Sequence, residues 1–135
     1  MIVDTSALLA FFDTDEPDHE AVTDIICSTG DLLVVSPYVV AEVDYLVASR
    51  QGVDAELAVL GELTGGAWEL ATFTAADLAQ ATEVVRRYRD QGIGVADASN
   101  VVLAERYRTA VIATLDHRHF TVLQTLTGAR FELLP

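Results

Sequence analysis

Short apolar runs of strand length alternate along this chain with longer segments of helical periodicity, and this alternation constrains its fold most. Four runs have the length and composition of buried strands, namely Ile2–Asp4, Leu32–Val35, Trp68–Ala71 and Ala110–Ala113. A fifth strand, Phe131–Leu134, is expected at an edge. Strands that alternate with helices need right-handed crossovers and form a mostly parallel sheet. The sequence therefore predicts an α/β fold, a three-layer sandwich in which a mostly parallel sheet of four to five strands lies between helices.

The intervening helices are predicted from the spacing of apolar residues and from capping residues. Ser36 and Pro37 form the preferred cap-then-proline start of a helix that ends at Gly52. The other predicted helices are a first one that Thr5 and Ser6 cap, Pro17–Ser28, Asp54–Leu63, Ala75–Asp90 and Val95–Tyr107. Cys27 lies in an apolar helical pattern, so we expect it to be buried as a small hydrophobic residue.

Length and composition limit the class of protein. The chain has 135 residues, 51% of them hydrophobic, so residues 1–135 are expected to form one domain around one core. No apolar run approaches the roughly 20 residues of a membrane span. No basic segment followed by an apolar stretch indicates a secretory signal. We therefore expect a cytoplasmic protein that does not associate with membranes.

The formal net charge of −13 disfavours nucleic-acid binding, because contacts to phosphate require cations. The objection weakens if several acids gather around a metal ion and the few cations are grouped. All eight basic residues are arginines, and Arg86, Arg87 and Arg89 fall within one helical turn. These three are candidates for phosphate contacts. A solvated helix face and the codon usage of a GC-rich genome are the alternative explanations.

Four carboxylates fall where an open parallel sheet collects its chemistry, beyond the carboxyl ends of the strands. Asp4 ends the first strand and Asp116 follows the fourth. Glu42 and Asp97 lie near the starts of helices that project toward the same edge. An Asp at a helix start is more often a cap that complements the helix dipole, and that alternative stays open for Asp4 or Asp97 taken singly.

Taken together, the four acids indicate a metal site. Glu42 and Asp97 are each flanked by apolar residues, which predicts that they are buried, and an unpartnered buried carboxylate is costly. The chain has no lysine, and no arginine is adjacent in sequence to Asp4, Glu42 or Asp97. The expected counter-charge is therefore a divalent metal. Carboxylate donors without Cys or His favour Mg²⁺ or Mn²⁺ over zinc.

The segments that carry these acids resemble the PIN-domain toxins called VapC. They are Ile2–Leu8, the helix with Glu42, Val95–Ala98 and Thr114–Phe120, and the match runs through the whole chain in order and spacing. The resemblance implies that Asp4, Glu42, Asp97 and Asp116 bind Mg²⁺ or Mn²⁺. It also implies that metal-activated water cuts structured RNA, such as tRNA or ribosomal RNA, within the chain. A toxin of this family has an inhibiting antitoxin as its partner and is usually a homodimer.

Further residues acquire expected roles around this quartet. The resemblance places the hydroxyls of Ser6 and Thr114 beside the acids. Asn100, one helical turn after Asp97, is expected to line the same cleft, and Arg118 is a fourth candidate for phosphate contact.

An antitoxin is expected to cover apolar grooves near the acids, around the residues Phe11, Phe12, Val43 and Leu46. Where many relatives have a further acid after the fourth, this chain has His117 and His119. We interpret these histidines as caps of the short segment that ends at Phe120, with a hydrogen bond to RNA phosphate as the alternative.

Two other functions fit parts of the pattern. Aspartyl-phosphate phosphatases also place an Asp after the first strand of a parallel sheet, but they need a second Asp two residues later, where this chain has Ser6. The other alternative is a non-enzymatic PIN-like module that binds proteins, and the intact quartet argues against it. Binding of Mg²⁺ or Mn²⁺ with cleavage of RNA, and no hydrolysis of p-nitrophenyl phosphate, would discriminate among the three.

Overall fold

The computed structural model describes residues 1–135. The strands are β1 (Ile2–Val3), β2 (Leu33–Val35), β3 (Trp68–Leu70), β4 (Val111–Ala113) and β5 (Glu132–Leu134). The α-helices are α1 (Thr5–Phe12), α2 (His19–Ser28), α3 (Pro37–Gln51), α4 (Val53–Leu63), α5 (Ala75–Arg87), α6 (Val95–Arg106) and α7 (His117–Phe120). A 3₁₀ turn covers Arg89–Gln91. None of the helices is long and apolar enough to cross a bilayer.

All five strands pair in parallel, in the order β3-β2-β1-β4-β5. The central strand β1 is in register with both neighbours, since Val3 pairs with Val35 on one side and with Ala113 on the other. The residues that follow these strands therefore emerge side by side at one edge of the sheet. Asp4 and Thr114 are two of them.

The sheet separates two hydrophobic cores. Successive strand residues point to opposite faces, so Val3 packs with α1, α2 and α3, whereas Ile2 packs with α5 and α6. Both side chains are fully buried. Because helices cover both faces, the arrangement is a three-layer sandwich, and the predicted fold class is confirmed. Phe131–Leu134 was also correctly expected as an edge strand, apart from its first residue.

The predicted elements all occur, and most of their ends shift by one to three residues. The helix predicted from Pro17 begins at His19. The one predicted through Asp90 ends at Arg87 and gives way to the 3₁₀ turn. Cys27 is exposed, so the expectation that it is buried was wrong. Ile26 occupies the core face of α2, and the next residue lies about 100° further round the helix.

Candidate active site

The carboxyl ends of the strands open into a cleft of about 730 Å³. Its lining comes from α1, α3, the start of α6 with the turn before it, and α7. The four acids proposed from the sequence all line it, together with Ser6 and His119. The topology explains this convergence, since α1 and α7 follow two adjacent strands of the sheet.

Asp4 is the most buried acid of the cleft, with 4% of its surface exposed. Asn100 Nδ2 donates to its Oδ1 at 3.0 Å, while Ser6 Oγ and Thr114 Oγ1 donate to its Oδ2 at 2.9 and 3.0 Å. Burial raises the pKa of this carboxyl, and the Ser6 and Thr114 hydroxyls oppose that shift. Asp4 occupies the N-cap position of α1, but its side chain makes no capping hydrogen bond and is instead held by Asn100, Ser6 and Thr114. A carboxylate has about four acceptor sites, so roughly one remains for the cleft.

Ser6 and Thr114 join the two strand ends that carry Asp4 and Asp116. Besides donating to Asp4, Ser6 Oγ accepts from Leu115 N at 2.9 Å, and Thr114 Oγ1 accepts from Asp116 N at 3.0 Å. Thr114 is fully buried. Each hydroxyl thus orients an acid on one strand end and the backbone that leads to Asp116. Both hydroxyls therefore lie beside the acids, where the resemblance led us to expect them.

Asp97 serves in part as a helix cap. It stands third in α6, and its Oδ2 accepts a hydrogen bond from Gly94 N at 2.9 Å. Its side chain is nevertheless only 16% exposed. Burial raises the pKa of Asp97 most, the Gly94 N–H and the His119 ring oppose that rise, and the charges of Asp116 and Glu42 add to it. A carboxylate that only capped a helix would be exposed and would not share its surroundings with two other acids.

Asp116 and His119 complete a compact donor group with Asp97. Asp116 Oδ1 accepts from the backbone N of His119 at 3.1 Å and so caps α7. His119 Nδ1 lies 2.9 Å from Asp116 Oδ2 and 3.8 Å from Asp97 Oδ2. The donor atoms of the three side chains all lie within 4.8 Å of one another. Although close to two carboxylates, the buried Nδ1 has no hydrogen-bond partner of acceptable geometry.

The role that we predicted for His119 from the sequence was therefore incomplete. We interpreted it as a cap, but its ring contributes to the cleft, whereas His117 is exposed. The available signal was its spacing from Asp116, because side chains three residues apart share a helix face.

Glu42 projects from α3 into the cleft, where Thr5 Oγ1 donates to its Oε2 at 2.6 Å. Glu42 is exposed, so its predicted burial was wrong. The buried stripe of α3 consists of Val39, Val43 and Val47, and Glu42 lies about 100° away from Val43. Thr5 was not expected to contact this acid, because a Thr at a helix start was interpreted only as a cap.

Asn100 does not line the cleft, contrary to expectation. It is fully buried behind Asp4, and its Oδ1 has no hydrogen-bond partner. Its neighbour Ser99 lies 2.5 Å from Ser36, oxygen to oxygen, which ties α6 to the start of α3. Asn100 thus holds Asp4 from the side of the core.

The four candidate arginines are exposed, and none lines the cleft. Arg86 pairs with Glu83 on the same helix, and Arg89 Nε lies 3.9 Å from Asp90. Arg118 lies on α7, between Asp116 and His119 in sequence. Contact of these arginines with phosphate stays a prediction.

Of the residues expected around the antitoxin groove, Leu46 lines the cleft and Phe12 lines a smaller groove nearby, whereas Val43 belongs to the core. Val43 is fully buried, and Phe11 and Phe12 pack against Trp68, with ring centroids 5.5 and 6.2 Å away. Leu46 does line the cleft. Its larger apolar companions there are Leu9, Tyr38 and Val95.

The donor group fits a divalent metal ion. Two carboxylates and an imidazole nitrogen converge within 4.8 Å, with no lysine or arginine in the lining of the cleft. Each carboxylate accepts one backbone N–H, from Gly94 or His119, and keeps further acceptor sites beside the unpartnered Nδ1, which a cation could satisfy. The sequence led us to expect oxygen donors alone, and the structure adds His119 Nδ1 as a candidate nitrogen donor.

Three comparisons with known proteins agree with this geometry. The PIN domain profile matches residues 1–124. The chain is 65% identical to Ribonuclease VapC26 of Mycobacterium tuberculosis over 135 residues, which is 100% of both chains. The fold is similar to that of VapC20 from M. tuberculosis, a toxin that cleaves the sarcin-ricin loop, with a TM-score of 0.83, 19% identity, and coverage of 99% of this chain and 98% of that one.

The fold also matches VapBC2 from Rickettsia felis, solved bound to a DNA fragment from its promoter, with a TM-score of 0.71, 15% identity, and coverage of 99% of this chain and 98% of that one. At these low identities the two structural matches show the fold alone. The profile match and the full-length identity show more, namely that the chain belongs to the PIN-domain family and, within it, to the VapC proteins.

Proposed function

We propose that this protein is a Mg²⁺- or Mn²⁺-dependent endoribonuclease, the toxin of a type II toxin–antitoxin pair, which hydrolyses structured RNA such as tRNA or ribosomal RNA. One observation carries the proposal. Asp97, Asp116 and His119 bring their donor atoms within 4.8 Å of one another in an open cleft. The name of the 65% identical relative, a ribonuclease, supports the choice of RNA as substrate.

The proposed division of labour follows from the contacts. Asp97, Asp116 and His119 would hold the metal ion, and Asp4 would offer it the carboxylate site that its three donors leave free. Glu42, oriented by Thr5, faces the same space from α3. A bound divalent ion would lower the pKa of water and neutralise negative charge on the reacting phosphate.

The acidic chain must still approach a polyanion. Exposed arginines would contact phosphates of the RNA, with Arg86, Arg87, Arg89 and Arg118 as the candidates. Such contacts are insensitive to sequence, so they would position the substrate without selecting the cleavage site.

An antitoxin would inhibit the protein by covering the cleft. The apolar lining residues Leu9, Tyr38 and Leu46 offer it a surface beside the acids, onto which it would place a helix or an arginine. The similar VapBC2 and FitAcB structures, from Rickettsia felis and Neisseria gonorrhoeae, support the existence of such a partner. We also propose that the protein acts in the cytoplasm as a homodimer.

The test is an RNA cleavage assay with the purified protein. In Mg²⁺ or Mn²⁺ we expect a defined internal cut, no cut in EDTA, and no hydrolysis of p-nitrophenyl phosphate. Sequencing the RNA 5′ ends that appear when the protein is induced in cells would identify the target. Metal binding without cleavage of any cellular RNA would contradict the proposal and favour a non-enzymatic binding module. Hydrolysis of p-nitrophenyl phosphate would favour the phosphatase alternative, which the buried and hydrogen-bonded state of Asp4 disfavours.

A further inference from the structure

We propose that His119 binds the metal ion directly through Nδ1, and that this nitrogen ligand makes the site prefer Mn²⁺ to Mg²⁺. The proposal rests on the proposed function only in needing a divalent ion in this cleft. It concerns which atoms hold the ion and which ion they select.

The position of the ring is the first observation. Asp116 Oδ1 accepts the backbone N–H of His119 at 3.1 Å, which fixes the start of α7. The side chain is 18% exposed, so the ring has little freedom to turn away. Its Nδ1 faces Asp116 Oδ2 at 2.9 Å and Asp97 Oδ2 at 3.8 Å.

The second observation is the convergence of three donor atoms. One atom each of Asp97, Asp116 and His119 lies within 4.8 Å of the other two. Nδ1 lies 2.9 Å from Asp116 Oδ2, but no hydrogen bond of acceptable geometry joins them. An imidazole nitrogen that carries no proton offers a lone pair, which together with the two carboxylates makes a set of metal ligands.

The third step is the selectivity that such a donor set confers. Mg²⁺ is bound through oxygen and keeps several waters. Mn²⁺ also suits carboxylate oxygen, but as a first-row transition ion it accepts an imidazole nitrogen more readily than Mg²⁺ does. Of the two ions proposed for this protein, Mn²⁺ gains more from His119. An all-carboxylate site would lack this difference.

The experiment is Mn²⁺ titration followed by electron paramagnetic resonance, with pulsed measurements that detect a ¹⁴N nucleus bonded to the ion. We expect the wild-type protein to show imidazole ¹⁴N coupling and to bind Mn²⁺ more tightly than Mg²⁺ in competition. His119→Asn, which places an amide in the region of the ring, should lose the ¹⁴N signal. Its Mn²⁺ affinity should fall at least about tenfold.

The matched control is His117→Asn, since His117 is an exposed histidine on the same short helix. It should keep the ¹⁴N coupling and the Mn²⁺ affinity. Absence of ¹⁴N coupling in wild-type protein with bound Mn²⁺ would overturn the proposal. Tighter Mn²⁺ binding by His119→Asn would also overturn it, because that is the result expected when a repelling imidazolium is removed. If His119→Asn does not fold, the wild-type spectrum and the His117 control decide alone.

RNA cleavage is measured separately, so the two proposals can fail independently. Wild-type protein with ¹⁴N-coupled Mn²⁺ that cuts no RNA would refute the ribonuclease function and leave the ligand assignment standing. Cleavage in Mn²⁺ without ¹⁴N coupling would refute the ligand assignment and leave the function standing.

Discussion

Asp97 and Asp77 occupy the same position in two helices, yet we predict that replacing them by Asn has opposite effects on stability. Each stands third in its helix and accepts a hydrogen bond from the backbone N–H before the helix, Asp97 from Gly94 at 2.9 Å and Asp77 from Thr74 at 2.7 Å. They differ in their neighbours. Asp97 faces other acids, whereas Asp77 faces Arg106 at 2.5 Å.

The expected effect of Asp97→Asn follows from the charges that surround it. Ionised oxygens of Asp97 and Asp116 lie within 4.8 Å. At that distance and an effective dielectric constant of about 20, their repulsion is about 3.5 kcal/mol. Asn can still accept the Gly94 N–H, but the loss of charge at the helix start costs about 1 kcal/mol. These two effects leave a gain of about 2.5 kcal/mol, and the lost attraction between Asp97 and the His119 ring reduces it. Without metal at pH 7, the variant should therefore be about 1–2 kcal/mol more stable and melt roughly 3–10 °C higher.

Adding metal should raise the melting temperature of the wild type much more than that of the variant. An ion that binds only the folded state stabilises it by about 2.7 kcal/mol at a hundredfold excess over its Kd. Wild-type protein should therefore melt higher in Mn²⁺ than in EDTA, and Asp97→Asn should lose most of that shift together with RNA cleavage. The gain in EDTA should also vanish in acid. Burial raises the pKa of Asp97 above its ordinary 3.8, so below that pH the wild-type carboxyl is protonated in both states and no longer destabilises the fold.

Thermal melts of both variants in EDTA and in Mn²⁺ test the reasoning. Asp77→Asn is the control and should melt below the wild type in either condition, with an unchanged shift on adding metal. If Asp97→Asn also melts below the wild type in EDTA, or cuts RNA at the wild-type rate, Asp97 is an ordinary cap and the metal site is refuted.

Three further outcomes are expected. Replacing Arg86, Arg87 and Arg89, at the end of α5 and in the turn after it, by Ala should weaken RNA binding without moving the cut. The salt dependence should flatten by about 0.7–0.9 in log–log slope per lost phosphate contact, and an unchanged slope contradicts the prediction. Thr114→Val should cost about 1–3 kcal/mol in urea unfolding, because it removes one of the three donors to Asp4 and the acceptor of the Asp116 N–H. The exposed Thr121→Val should change little. The Arg106 hydrogen bond holds the pKa of Asp77 at about 2, below the ordinary 3.8, so stability from this pair is complete above pH 3.8 and lost as the pH falls toward 2. Asp77→Asn should remove that acid-sensitive part of the stability curve.

The fold was predictable because its signals are local and consistent. Ser36 followed by Pro37 begins α3 as expected, and the Ser36 side chain accepts the Tyr38 N–H. The alternation of strands and helices left few topologies to consider. Side-chain exposure was less predictable. Cys27 and Glu42 were both expected inside, but each lies beside the buried stripe of its helix, and flanking apolar residues do not distinguish the stripe from its border.

The candidate site was predictable in its acids and less so in their partners. Strand ends in a parallel sheet bring Asp4 and Asp116 to one edge whatever the side chains between them do. Hydrogen bonds such as that from Thr5 to Glu42 depend on rotamers and on residues 37 positions away. His119 could be placed beside Asp116 by helical spacing, but its approach to Asp97 depends on how α6 and α7 meet. That relation is tertiary and leaves no sequence pattern.

The arrangement of the acids also resolves the objection that a chain of net charge −13 should avoid RNA. Burial raises the pKa of both Asp4 and Asp97, so ionising these carboxylates in the folded protein costs stability. A divalent ion bound among them removes that cost and adds two positive charges where RNA would arrive. The interactions that oppose folding of the metal-free chain are then the same ones that bind the metal. Relieving them by substitution should therefore stabilise the apo protein and weaken metal binding together, which an independent structural role for each acid would not produce.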